Sequence, residues 1–236
     1  MNIPELRHFQ NHLPNLATYL MDGMEQFSSH HMTSAKNVRF AQKLIKVIFD
    51  EWANIADEQY KRSLDILNLN EDRHSGWYFI PVDNIYSLEK GGYEFAMIIG
   101  YFNDRKCQSA LMYFPLFDHV YLAQKGKGVS ASRHNNGSLQ SRLRIKDNND
   151  IGNILVSCTS AYVQEQPDLT PLSKQGLVTV TGSVGHWLAT ALNEQAAISY
   201  HKCDNHFERS ICLLFAQEAS LYISNNDIIE LRNHRI

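Results

Sequence analysis

The sequence predicts an α+β protein, and three successive patterns along the chain support this fold class. Apolar residues recur at helical spacing up to about residue 55. Short runs rich in aromatic and β-branched residues follow between residues 77 and 123, with turn-forming residues between them. Strand-like and helix-like segments then alternate from residue 154 to residue 219. Helices, then an antiparallel meander, and then alternating strands and helices together indicate packed layers of helices and sheets.

Two amphipathic helices are predicted at the start of the chain. The first covers residues 14–30. Its apolar stripe consists of Leu16, Leu20, Met24 and Phe27. The second covers residues 33–55, where Thr33 is a candidate cap and the apolar positions keep the 3.6-residue period. Each helix therefore has one apolar face, which we expect to pack on the sheet that follows.

The middle of the chain predicts an antiparallel meander. Its strands cover residues 77–80, 95–102, 107–114 and 119–123. Residues 103–105 and 115–118 separate them and are typical of hairpin turns, because they are rich in Asn, Asp and Pro. With the helices, this meander forms a predicted N-terminal α+β half at residues 1–132.

The remainder predicts a C-terminal α/β half at residues 133–236, which begins with a polar stretch. Strands are expected at residues 154–157, 178–180 and 197–200, and helices at residues 184–193 and 207–219. A chain of 236 residues is long for one domain and short for two independent ones. We therefore expect the two halves to form one compact unit.

Composition and charge exclude several classes of function. The chain is 44% hydrophobic and 20% charged, which is ordinary for a globular protein. Its formal net charge of −3 argues against a basic surface for nucleic acids or anionic membranes. The sequence predicts no transmembrane helix and no signal peptide. The four cysteines show no close pairing pattern, so we expect reduced thiols and a cytoplasmic location.

The most informative stretch covers residues 77–91, WYFIPVDNIYSLEKG. Its predicted strand stops at Pro81, which cannot donate a hydrogen bond to a sheet ladder. Asp83 and Asn84 follow, and these residue types turn a chain by bonding to its own backbone. The strand end therefore presents a carboxylate at the rim of a sheet.

This stretch resembles the signature of the inositol monophosphatase family, which is Trp-x-x-Asp-Pro-Ile/Leu-Asp-Gly-Thr, then an aromatic segment and a glycine. The residues in register with the signature are Trp77, Pro81, Val82, Asp83 and Gly91. Ile80 stands at the place of the first aspartate, and Asn84-Ile85 stands at the place of Gly-Thr. In the family the two aspartates hold Mg²⁺, and the threonine helps to orient the attacking water.

Segments further along the chain resemble the same family. GKG at residues 126–128 matches the turn after the fourth strand, and Gly182-Ser183 matches a segment that opens a helix near the substrate. Free N–H groups at such a helix start suit a phosphate, although a plain N-cap is the alternative interpretation. Phe207-Glu208 and Glu218-Ala219 match a Trp-Asp and Glu-Ala pair at the family's own separation. On this match Glu208 would replace a metal-binding aspartate. The alternative interpretation is that Glu208 only stabilises the first turn of its helix, where a negative charge is favourable.

Two N-terminal segments extend the resemblance. TSAK at residues 33–36 resembles Thr-x-Ala-Asp, so Lys36 stands where an aspartate would help to activate water. IADE at residues 55–58 resembles Ile-Gly-Glu-Glu, so Asp57 stands in for a metal-binding glutamate.

The resemblance implies a layered αβαβα sandwich, a Mg²⁺-dependent phosphatase of inositol phosphates or another small phosphorylated polyol, and a homodimer. The metal positions that it implies are Asp83, Asp57, Glu208 and the backbone carbonyl of Val82. The substrate positions that it implies are Asn84, Gly182, Ser183 and His201. Its catalytic positions hold Lys36, Ile80 and Ile85, none of which accepts a proton at neutral pH.

The sequence therefore predicts a retained fold with an eroded metal and water-activating site, weak or absent Mg²⁺ binding, and a weak or inactive phosphatase. The alternative is a pseudoenzyme that acts as a ligand- or protein-binding module, including a regulatory one. Separately, His201, Cys203 and His206 are residue types that bind Zn²⁺. Because a fourth ligand and regular spacing are missing, ordinary structural roles are the preferred interpretation of these three residues.

Overall fold

The computed structural model describes residues 75–90, 92–133, 141–143, 155–193, 196–203, 205–225 and 228–232, and six isolated positions before them. Those positions are 15, 18, 22, 43, 47 and 50. All six are helical and fall within the two helices predicted for the N-terminal region, which otherwise lie outside the described residues. Lys36 and Asp57 also lie outside the described residues.

The first sheet is an antiparallel meander of six strands in sequence order. Its strands are β1 (Gly76–Ile80), β2 (Met97–Asn103), β3 (Lys106–Phe114), β4 (His119–Gln124), β5 (Gly128–Arg133) and β6 (Ser141–Leu143). Asn103 pairs with Lys106, so Asp104 and Arg105 form a two-residue hairpin loop. Both have positive φ, at 50° and 59°, as hairpin turns that match the strand twist require. The predicted meander is confirmed.

The second sheet is mixed and has the strand order β10-β11-β9-β7-β8. Its strands are β7 (Leu155–Thr159), β8 (Leu177–Thr181), β9 (Ile198–Lys202), β10 (Tyr222–Asn225) and β11 (Ile228–Arg232). Strand β7 pairs in parallel with β8 and β9, as the predicted alternation of strands and helices requires. The other two pairings are antiparallel.

Among the described residues from 75 onward there are five α-helices and one short 3-10 helix, Pro115–Phe117. The α-helices are α1 (Ile85–Glu89), α2 (Ser160–Glu165), α3 (Thr170–Ser173), α4 (Val184–Leu192) and α5 (His206–Glu218). Helices α4 and α5 match the predicted ones to within a residue. The sequence did not predict α1, α2, α3, β5, β6, β10 or β11, because segments this short carry little periodicity. Within the described part of the chain, no helix is both long and apolar enough to span a membrane.

Helices α4 and α5 lie between the two sheets, and a single apolar core joins them. The core combines Ala96, which precedes β2, and Phe114 of β3 with Trp187 of α4, Phe215 of α5 and Leu231 of β11. All five side chains are at most 3% exposed. The predicted α+β layering is thus confirmed. The division at residues 132 and 133 stays a prediction, although β6 belongs to the first sheet and follows that division.

A carboxylate clamp connects the end of α5 to the turn between β4 and β5. Gly126 N donates to Glu218 Oε1 at 2.7 Å, and Gly128 N donates to Glu218 Oε2 at 2.8 Å. Both glycines have positive φ, at 76° and 86°, a conformation that other residues rarely adopt. The two segments that resemble the phosphatase family at GKG and Glu218 are therefore direct partners in space.

We expect Glu218→Gln to lower the free energy of unfolding by about 1–3 kcal/mol, because one backbone N–H loses its charged acceptor. Urea denaturation followed by circular dichroism measures this loss. The matched control is Glu165→Gln, whose carboxylate is 54% exposed and 3.9 Å from Lys202 Nζ. That control should change stability by less than about 0.5 kcal/mol. Equal losses in the two variants would contradict a stabilising role for the clamp.

Candidate functional site

The candidate site begins where β1 ends and the chain turns at Asp83. Asp83 N donates to Ala96 O at 3.1 Å, and Ala96 N donates to Asp83 Oδ1 at 2.7 Å. This reciprocal pair fixes the loop after β1 against the residue that precedes β2. The side chain is therefore held by the backbone of its own sheet.

The second carboxylate oxygen of Asp83 caps helix α4. Ser183 Oγ and Gly185 N each donate to Asp83 Oδ2 at 2.7 Å. Ser183 is also the N-cap residue of α4, and its Oγ accepts from His186 N at 3.1 Å. A carboxylate is the kind of group that the positive end of a helix dipole favours. An internal anion thus occupies the helix start that the sequence predicted to face substrate.

Two glycines allow this close approach. A Cβ on Gly185 would lie 2.5 Å from the Cβ of Ala96, and a Cβ on Gly182 would lie 2.5 Å from Asn84 Nδ2. Real Cβ atoms are not found at such distances. The GSVG segment therefore packs its backbone directly on the loop that carries Asp83.

Asn84, a predicted substrate residue, has a structural role. Its Oδ1 accepts from Ser87 N at 3.2 Å and caps α1, and its Nδ2 donates to Glu94 O at 2.9 Å. The side chain is 9% exposed. Thr181 Oγ1 donates to a carboxylate oxygen of Glu94, which brings the end of β8 to the same place.

Burial is the main influence that raises the pKa of Asp83, and the nearby negative charge of Glu208 adds to it. Hydrogen bonds from Ala96, Gly185 and Ser183 act in the opposite direction. The net effect raises the pKa of Asp83 from its ordinary 3.8 to about 6. Asp83 and Glu208 are therefore close enough to repel each other.

Glu208 lies in the first turn of α5 and pairs with His201 of β9. His201 Nε2 lies 2.8 Å from Glu208 Oε1, and His201 Nδ1 lies 2.9 Å from Thr159 Oγ1. Asn205 caps the helix by accepting from Glu208 N at 2.9 Å. His201 is 1% exposed, so these two hydrogen bonds satisfy both ring nitrogens inside the protein.

The surroundings of His201 favour its charged form. Burial alone lowers its pKa, but hydrogen bonds and negative charge from Cys203 and Glu208 raise the pKa of His201 to about 9. A hydrogen bond with Cys212, together with His201, lowers the pKa of Cys203 to about 6. The pairing with Cys203 and burial raise the pKa of Cys212. Two thiols, an imidazole and a carboxylate thus interact at one end of β9.

The structure places the remaining predicted positions away from this chemistry or leaves them undescribed. Ile80 is partly buried and packs against the apolar core, and Ile85 is 45% exposed at the start of α1. Val82 is 4% exposed. The metal roles of Asp83, Glu208 and Val82 stay predictions. So do the substrate roles of Asn84, Gly182, Ser183 and His201. Lys36 and Asp57 lie outside the described ranges.

Among the described residues, the oxygen donors around Asp83 do not fit Mg²⁺. This ion requires near-octahedral oxygen coordination at about 2.0–2.1 Å. Three protein donors already occupy both oxygens of Asp83, Glu208 pairs with His201, and Ile80 offers no oxygen. Among the described residues, the group of metal-ligating side chains that does converge is His201, Cys203 and Cys212, which contains two soft sulfur atoms.

Sequence reasoning missed Cys212, which belongs to this second cluster, and Thr159, which bonds to His201. It grouped His206 with His201 and Cys203 because the three are close in sequence, whereas Cys212 takes that place in the structure. The ring of His206 instead packs on Phe207, with centroids 3.8 Å apart. Cys212 lies four residues after Glu208 in a predicted helix, so helical spacing could have identified it. Nothing in the sequence distinguished Thr159.

The fold is that of inositol monophosphatases. Inositol monophosphatase II from Staphylococcus aureus superposes with a TM-score of 0.74 and 14% identity, over 96% of this chain and 89% of that chain. An inositol monophosphatase from Anabaena (Nostoc) gives a TM-score of 0.70 and 15% identity, over 97% and 91% of the two chains. SuhB from Mycobacterium tuberculosis gives 0.68 and 15%, over 97% and 92%. No protein-family model and no curated protein matches the sequence, so the likeness establishes the fold alone.

We expect the stability advantage of the wild type over Asp83→Asn to shrink as pH rises. The folded chain holds the proton of Asp83 up to a pH of about 6, whereas an unfolded chain releases it near the ordinary pKa of 3.8. This proton therefore stabilises the folded state, and its contribution is complete below pH 3.8. That contribution is lost as pH rises through about 6. Asparagine cannot titrate and offers one acceptor to three donors, so Asp83→Asn should cost about 1–3 kcal/mol near pH 5. Urea denaturation between about pH 5 and pH 8 measures the difference.

The matched control is Asp104→Asn, in the exposed hairpin loop where φ is 50°. Both residue types tolerate this left-handed conformation, so the control should differ little from the wild type at any pH tested. A stability difference for Asp83→Asn that stays constant or widens with rising pH would contradict a buried, internally bonded carboxylate.

Proposed function

We propose that this chain uses the inositol monophosphatase fold as a binding module and hydrolyses phosphomonoesters weakly or not at all. The observation that carries this proposal is that both oxygens of the Asp83 carboxylate accept hydrogen bonds from the protein, from Ala96, Ser183 and Gly185. A hard cation would have to compete for this carboxylate with three protein donors, which already reach both of its oxygens. The best-matched residue of the phosphatase signature therefore serves the fold.

The chemistry of phosphomonoester hydrolysis supports the same proposal. Two-metal hydrolysis needs several carboxylates that converge on the ions, and a group that takes a proton from the attacking water. Ile80 and Ile85 supply neither, and one of them packs against the core. Lys36 adds a positive charge where the resemblance implies a proton acceptor. We therefore propose that Mg²⁺ binds weakly and that water activation is lost.

The occupied start of α4 favours a macromolecular ligand over a small phosphate. A phosphate at this helix start would have to displace Asp83 from Ser183 Oγ and Gly185 N. We therefore propose that the ligand is a protein, such as a second copy of this chain, in preference to a small phosphorylated polyol. We also propose that the protein is cytoplasmic and that it binds neither nucleic acids nor membranes.

We expect hydrolysis of inositol monophosphate in excess Mg²⁺ to stay at or near background. Positioned acid–base groups are typically worth about 10²–10⁴-fold, and this chain lacks them at the positions that the resemblance implies. A phosphate-release assay measures the rate, with an active inositol monophosphatase as the positive control. Turnover of about 1 per second or faster, abolished by Asp83→Asn in a folded variant, would contradict the proposal.

A restoration variant tests whether the replaced positions are the cause. The combination Lys36→Asp, Ile80→Asp and Ile85→Thr should raise Mg²⁺ affinity and give measurable hydrolysis. Its matched control, Lys36→Asn, Ile80→Asn and Ile85→Thr, has similar shapes without the new charges and should stay inactive. Circular dichroism must show that both variants fold, because Ile80 packs against the core. A folded restoration variant that binds Mg²⁺ and stays inactive would contradict the assignment of these positions.

A further inference from the structure

The clustered side chains of His201, Cys203 and Cys212 form a second candidate site. One ring nitrogen of His201 and the two sulfur atoms all lie within 4.8 Å of one another. His201 and Cys212 are each 1% exposed, and Cys203 is partly exposed. The cluster therefore has a buried floor and one member that solvent can reach.

The local structure explains why these groups meet. His201 belongs to β9 and Cys203 follows its last residue, so the two side chains point to the same side of the strand. Glu208 and Cys212 are four residues apart on α5, so they share one face of the helix. The end of the strand and the face of the helix each contribute two chemically active groups.

We propose that His201, Cys203 and Cys212 bind a thiophilic divalent cation, for which Zn²⁺ is the natural candidate. Zn²⁺ is bound by thiolate sulfur at about 2.3 Å and by imidazole nitrogen at about 2.0–2.1 Å. Tetrahedral ligands at these lengths lie roughly 3.5–3.8 Å from one another, which the 4.8 Å limit accommodates. This site goes beyond the proposed binding function and does not depend on it.

Thr159 and Glu208 are placed as such a site needs. A metal-bound histidine commonly donates its other N–H to a protein oxygen, which fixes the ring. Thr159 Oγ1 lies 2.9 Å from His201 Nδ1 and can accept this N–H. Glu208 Oε1 lies 2.8 Å from His201 Nε2. A metal on Nε2 would replace the proton that these two atoms share, and the carboxylate oxygen would then be adjacent as a fourth ligand. The resemblance implied that Glu208 binds Mg²⁺. The groups beside Glu208 are two thiols and an imidazole, which prefer a softer cation.

The other two cysteines show what purely structural thiols look like in this fold. Cys107 Sγ donates to Ser109 O at 3.3 Å, and Cys158 Sγ donates to Thr179 O at 3.6 Å. Cys107 shares the main apolar core with Cys212, and Cys158 lies in a separate apolar cluster, but neither belongs to the cluster around His201. Cys203 and Cys212 differ because each has a second thiol and an imidazole close by. A Cys203–Cys212 disulfide is the competing use of the same geometry.

The test uses the full chain without an affinity tag, reduced and freed of metal with a chelator. This protein is titrated with Co²⁺ and then with Zn²⁺. Co²⁺ reports thiolate ligation through its near-ultraviolet charge-transfer absorption, and Zn²⁺ should displace it at one equivalent. We expect Cys203→Ser and Cys212→Ala each to lower the affinity at least about 100-fold, since loss of outer groups alone costs about 10–100-fold. The matched control, Cys158→Ser, should leave affinity and absorption unchanged, because serine can donate to Thr179 O in its place.

The outcomes separate the alternatives. Cys203 is partly exposed, so Cys203→Ser is the variant most able to keep its fold, which thermal denaturation checks. Undiminished binding in folded Cys203→Ser would overturn the proposal. So would the absence of a thiolate absorption band in the wild type. A Cys203–Cys212 disulfide in the untreated protein, found by mass spectrometry, with no Co²⁺ binding after reduction, would also overturn it. Each of these results leaves the phosphatase assay unaffected, so the two proposals fail separately.

Discussion

The carboxylate of Asp83 holds the loop that leaves the first sheet against the helix that lies between the sheets. Its three donors come from Ala96 before β2 and from Ser183 and Gly185 at the start of α4. The absence of a side chain at Gly185 allows this contact, because a Cβ there would lie 2.5 Å from the Cβ of Ala96. This carboxylate therefore fixes the start of α4, the helix that carries the buried Trp187.

The same anchoring limits the chemistry of the site. A helix start that already has an internal anion has less attraction left for a phosphate. A carboxylate that is buried and repelled by Glu208 has a raised pKa, so it is protonated more readily than an exposed one. In this chain the residue that best matches a metal-binding signature stabilises the fold, and the shared fold alone does not imply the shared reaction.

The other end of the site has a different chemical character. Glu208 meets a histidine that Thr159 orients, and two thiols stand beside them. Oxygen-rich sites select hard cations such as Mg²⁺, whereas sulfur and imidazole select softer ones. The inferred Zn²⁺ site rests on the thiols and the imidazole that converge at this end, whereas the poor fit to Mg²⁺ rests on the hydrogen-bonded carboxylate of Asp83 and on the apolar side chain of Ile80.

The sequence by itself determined the fold class and the order of the longer elements. Its apolar periodicity identified the strands from β1 to β4 and both inner helices, since such patterns are local. It also identified Asp83, Ser183, His201 and Glu208 as notable residues. Only the tertiary structure decided how they are used, because the partners of Asp83 are 13 to 102 residues away along the chain. Cys212 belongs to the cluster for the same reason, because α5 packs beside the end of β9. Its distance along the chain from His201 hid this contact, and the nearer His206 was grouped with His201 instead.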